Sequence, residues 1–152
     1  MKLNSLPYFD ELIAHRLPLE CYVNQLRALS VIHSVLEEQI AASANEQIAR
    51  VWKDGLRKLP LIMEDLHFFE PRVSSDNIPT LEVALSIAEK IRFRSIEQPL
   101  SLLGYLYVME GSTLGNHMHQ PDITKNYHLD GLDGSRYYSS YKDKVPARLP
   151  TG

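Results

Sequence analysis

Gly111 and Gly115, with Ser112 and Asn116 beside them, are the residues of this sequence whose types and spacing point most directly to chemistry. Glycines four apart fall on one face of a helix and leave a strip of backbone without side chains. Each costs about 1 kcal/mol relative to alanine inside a helix, so some contact should offset it. A flat ligand or another backbone pressed on the strip would do so, with the Ser112 hydroxyl and the Asn116 amide at its edge. Close helix packing, or the end of the helix at Gly115, would do so as well. His117, His119 and Asp122 form a second candidate set, with metal-ligand chemistry. At i and i+2 the two histidines point apart on a helix, and a site between helices wants i, i+3 or i+4. Solvent-facing side chains are therefore expected there. Glu64, Asp65, His67 and Glu110 are scattered and unpaired by spacing. His33 sits on an apolar stripe, where a lone histidine is usually a hydrogen-bonded core residue. Ser112 directly follows a glycine and no strand precedes it, which excludes a nucleophile elbow; the phosphate-binding glycine loop fails for the same lack of a strand.

Helices must position these residues. A short one begins around Pro7 and stops near Arg16, because Pro18 disfavours helical geometry at Leu17. Pro18 opens the most regular helix, with Leu19, Tyr22, Leu26, Leu29, Leu36 and Ile40 at three- and four-residue steps. Short helices are expected over 46–53 and 59–69. Another runs over 81–93, with Val83, Ala84, Ile87, Ala88 and Ile91 inward. Gln98 and Pro99 then open the helix that carries the glycines. It is apolar on all sides, as expected of a helix buried in the middle of a domain. Past Asn116, Pro121, Asn126, Gly131 and Gly134 are turn signals in quick succession. Only 135–144 is expected to add a helical turn or two. No alternating strand pattern occurs, so the fold class is all-α.

At 152 residues the chain is one domain: a helical core over 1–116 and an irregular segment over 117–152. The 16 basic and 19 acidic residues are interspersed, which argues against a nucleic-acid partner. The single cysteine, Cys21, reads as a small core residue in a reducing compartment. No signal-peptide core and no run of about 20 apolar residues is present, so no membrane partner and a cytoplasmic location are expected. Tyr137, Tyr138 and Tyr141 read as a partner surface or an ordered lid.

Three segments resemble the heme oxygenases, above all the bacterial branch that supplies biliverdin to phytochromes. Residues 17–37, with Tyr22 and the trailing Leu36-Glu37, are similar to that family's second long helix. Residues 55–69 are similar to its helix ending in Asp65-Leu66. Residues 103–115 resemble its distal helix. The resemblance covers 9–116 and implies a heme oxygenase-like multi-helix bundle. It also implies a bound heme or other tetrapyrrole in contact with Gly111, Ser112, Gly115 and Asn116, under a helix that bends at the glycines. The family's activity is oxidation of heme to biliverdin, CO and iron, with an electron-donating reductase as partner. Ser112 matches the distal position often filled by Asp, where a hydroxyl still orders the water network that delivers protons but carries no charge.

Two departures accompany the resemblance. The family's axial histidine would fall at or beyond Met1, no histidine stands there, and His15 is too near a helix end to match; no metal ligand is assigned. The basic residues that clamp the propionates lie in later helices of the family, and the local substitutes Lys142, Lys144 and Arg148 read as solvated surface charges. The expectation is thus a heme oxygenase-like protein, enzymatic or not. The alternative is a non-enzymatic binding or interaction module on that scaffold, or a part of a larger protein that supplies the missing pieces. A homodimer is left open.

Overall fold

A computed structural model describes residues 7–73 and 78–140. Among the described residues seven α-helices run in the order α1 Pro7–Ile13, α2 Leu19–Ala42, α3 Glu46–Val51, α4 Leu59–Phe69, α5 Ile78–Glu97, α6 Ser101–Asn116 and α7 Gln120–Tyr127. No strand occurs among the described residues, and the all-α expectation holds. None of these helices is long and apolar enough to cross a membrane.

α2 is the spine. Its 24 residues span about 36 Å at 1.5 Å per residue, enough to serve two apolar clusters. Tyr22 and Leu26 near its start pack with Leu12 of α1, Ile62 and Phe69 of α4, Ile123 of α7 and the Tyr137–Tyr138 pair. Val35, Leu36 and Ile40 near its end pack with Ile48 of α3, Ile91 of α5, and Leu102 and Leu106 of α6. Prolines mark the helix starts as the sequence suggested, because the first turn does not need their missing N–H. Cys21 departs from expectation: it is exposed, turned away from the stripe that carries Tyr22 and Leu26. On α5, Ala84, Ala88 and Ile91 are buried while Val83 is 62 % exposed, so the inward stripe is narrower than its apolar pattern.

The segment after Asn116 is more ordered than the turn signals suggested. His117–His119 form a 3₁₀ turn and Pro121 then stands in the first turn of α7, opening a helix rather than a loop. His128, in left-handed geometry, ends it. Beyond it Tyr137 and Tyr138 are fully buried, which corrects their reading as a surface or lid; Tyr141, Lys142, Lys144 and Arg148 lie outside the described residues.

Two buried carboxylates hold the helices in register through backbone partners that spacing could not show. Glu37 of α2 accepts hydrogen bonds from the backbone N–H groups of Lys58 and Leu59 at 2.9 and 3.2 Å, capping α4 across 21 residues of chain. His33 Nδ1, 3.2 Å from the same oxygen, donates to it, which is the hydrogen-bonded core histidine the sequence implied, while its buried Nε2 has no partner among the described residues. Asp65 of α4 accepts from the N–H of Arg136 at 2.8 Å and of Tyr137 at 3.0 Å, so it fastens the C-terminal segment to the core.

The two titrate in opposite senses. Burial alone would raise Glu37, but its bonds from His33, Lys58 and Leu59 outweigh that and hold it below the ordinary carboxylate value of 4.5. Its contribution to stability is present above that value and is lost as the pH falls. Burial pushes Asp65 up to about 6 from 3.8, against the pull of its two N–H donors. The folded state then binds the proton more tightly than the unfolded chain does, so the Asp65 contribution is greatest below about pH 4 and declines as the pH rises through 6. In urea unfolding across pH 3 to 8, Asp65→Asn is expected to flatten the decline between pH 4 and 6, and Glu37→Gln to flatten the acid-side loss. Unchanged slopes in both variants would contradict these assignments.

Candidate functional site

The inner face of α6 explains why its glycines point outward. Leu102 and Leu106 are buried against α2 and α5. One turn on, Glu110 Oε1 receives Lys58 Nζ at 2.9 Å, and Lys58 also donates to the Leu56 carbonyl at 2.7 Å. Thr113 Oγ1 gives its proton to the Met109 carbonyl at 2.8 Å and accepts from the Tyr137 hydroxyl at 2.9 Å. Burial pushes the Tyr137 phenol up to about 12, which keeps that proton in place at neutral pH. The positions 102, 106, 110 and 113 form one helical stripe, so these contacts set the rotation of α6 about its own axis.

The opposite face is open. A Cβ built on Gly104, Gly111 or Gly115 would meet nothing within 4 Å. No neighbouring helix fills the strip among the described residues, and α6 continues through Gly115 to Asn116. Close helix packing among the described residues therefore does not account for the two glycines, and neither has the left-handed φ of a helix-ending glycine. Tyr107 and Val108, one turn before Gly111, are 70 % and 65 % exposed. The helix is consequently not buried on all sides: an apolar face meets solvent where the sequence suggested core.

The four candidate residues separate by direction. Gly111, Ser112 and Gly115 are exposed on the open side. Asn116 is half-buried and lies near the Tyr137 hydroxyl, toward the inner side of α6. Gly104, Tyr107 and Val108 belong to the same open face and went unnoticed in the sequence; their i, i+3, i+4, i+7 spacing to Gly111 is the signal that finds them.

The sequence profile of the heme oxygenases matches residues 2–143. The chain belongs to the heme oxygenase family. Comparison with curated proteins and with solved structures returns no match.

Four of the six histidines make contacts elsewhere in the fold. His33 donates to Glu37 in the core. His15 Nε2 lies 3.4 Å from Asp122 Oδ1, and His119 Nδ1 lies 3.7 Å from Asp122 Oδ2 while its ring stacks on Phe9. His119 is therefore packed rather than solvent-facing as expected. His67, largely exposed, lies 3.9 Å from Glu70. None of these four is assigned to iron. Among the described residues no group of three or more His, Cys, Asp or Glu side chains is placed to hold a metal ion, which leaves the His117–His119–Asp122 reading without support.

Proposed function

We propose that the outward strip of α6 binds heme, or a linear tetrapyrrole derived from it, flat against Gly111 and Gly115. The observation that carries this reading is the open space over three glycines inside one helix, in a member of this family. Each glycine lowers helix stability by about 1 kcal/mol, and no internal contact of the described chain offsets it. A ring lying on the strip would cover it and the exposed Tyr107 and Val108 together. Ser112, exposed beside Gly111, would hold a water at the edge of the ligand as a neutral donor and acceptor. Heme, when bound, supplies the redox chemistry by which this family forms biliverdin, CO and iron with electrons from a reductase. The placement of His15 and His119 against Asp122 favours a second reading, a binding module on the same scaffold that does not ligate iron through them.

Titration with hemin and, separately, with biliverdin tests the proposal. Saturable 1:1 binding of hemin, followed by a verdin spectrum when a reductase and NADPH are added in air, is the outcome for the enzyme. Binding of either pigment without turnover is the outcome for the binding module. Binding of neither would contradict both.

A further inference from the structure

On the side of the fold built by α2, α4 and α5, away from the residues of the α6 strip, lies an open cleft of about 470 Å³. That volume is within the roughly 300–1,000 Å³ usual for small-molecule sites. Its apolar wall comes from Val31 and Val35 of α2, Met63 of α4 and Leu85 of α5. Met63 and Leu85 are 46 % and 49 % exposed, so the wall is half in water. The polar groups are few: the Ser30 hydroxyl, which donates to the Arg27 carbonyl, the Ser34 hydroxyl and the Arg92 guanidinium.

Their order along α5 is informative. Leu85 and Arg92 are seven residues apart, which places them on one face about 10 Å from each other at 1.5 Å per residue. The cleft is thus apolar toward one end and cationic at the other. Arg92 has no ion-pair partner among the described residues, although Glu89 precedes it by one turn. A lone guanidinium matches a single carboxylate through two parallel N–H bonds.

We infer that this cleft binds a monocarboxylate with an unbranched apolar chain of medium length, a free fatty acid, with its carboxylate on Arg92 and its chain along Val31, Val35, Met63 and Leu85. The inference does not depend on tetrapyrrole binding, because the two sites share no residue.

Calorimetric titration with decanoate tests it, with decyltrimethylammonium as the charge-reversed control. The expected result is one saturable decanoate site per chain, no site for the cation, and at least tenfold weaker decanoate binding in Arg92→Glu. Arg92 is exposed, so that variant should retain the helical circular dichroism of the parent. Three results would overturn the inference: no saturable decanoate binding, equal binding of the cation, or unchanged affinity in a folded Arg92→Glu. Self-association of the protein that Leu85→Arg abolishes would overturn it too, by showing that a second copy occupies the cleft.

Discussion

Replacing Gly134 with alanine is expected to destabilise the fold by about 3 kcal/mol, through two separable effects. Gly134 has φ +84°, a conformation that costs an L-residue about 1–2 kcal/mol. Its Cβ would also stand 2.7 and 2.9 Å from the Phe69 ring and 3.1 Å from that of Phe68. Phe69 is fully buried between Tyr22 and Phe68, so the ring has no room to yield. The Gly134 carbonyl also accepts the buried Tyr22 hydroxyl at 2.6 Å, and any shift that relieves the clash strains this bond. Gly131 is the internal control: its φ is +58° but a Cβ there meets nothing within 4 Å. Gly131→Ala should therefore lose only the conformational part, about 1 kcal/mol. Equal urea midpoints for the two variants would show that the Phe69 contact carries no weight.

Asp65→Ala should cost about 2–4 kcal/mol at neutral pH, because it strands two backbone donors at once. The Arg136 and Tyr137 N–H groups have Asp65 as their acceptor, and an unsatisfied buried donor costs roughly 1–3 kcal/mol. Removing the carboxylate also relieves its own desolvation, which keeps the total below the sum of the two. Asp65→Asn keeps one acceptor oxygen and should lose less. The local signature is hydrogen exchange: the amides of 136 and 137 should lose protection in the alanine variant before α2 does. Full protection of both amides would contradict the role given to Asp65. Because Tyr137 also supports α6 at Thr113, loosening this segment should weaken any ligand held on the outer face.

Local chemistry made most of the helices legible. Pro18 and Pro60 mark the starts of α2 and α4, and the Leu and Ile stripe of α2 gives its buried face. The glycine pair also announced itself, since two costly residues on one face need an explanation. What spacing could not convey was any contact between distant segments. Asp65 meets Tyr137 across 72 residues, and Lys58 meets Glu110 across 52, so both acids looked unpaired. Pro121 carries the same local signal in a turn as in the first turn of a helix, and α7 was missed on that account. The Tyr137–Tyr138 pair resembles a polar surface until Thr113 and Gln25 are seen to pair with its hydroxyls. An all-round apolar helix reads identically whether its far side meets protein or solvent, which is why α6 looked buried.

Hemin titration of Gly111→Leu beside the parent protein measures the α6 assignment most directly. The side chain projects into open space, and glycine-to-leucine raises helix propensity, so the urea midpoint should be equal or higher. The same side chain would stand between the backbone and a flat ring, and hemin affinity should fall at least a hundredfold. A variant that binds hemin as tightly as the parent, or one that unfolds, would show that the bare strip serves some other purpose.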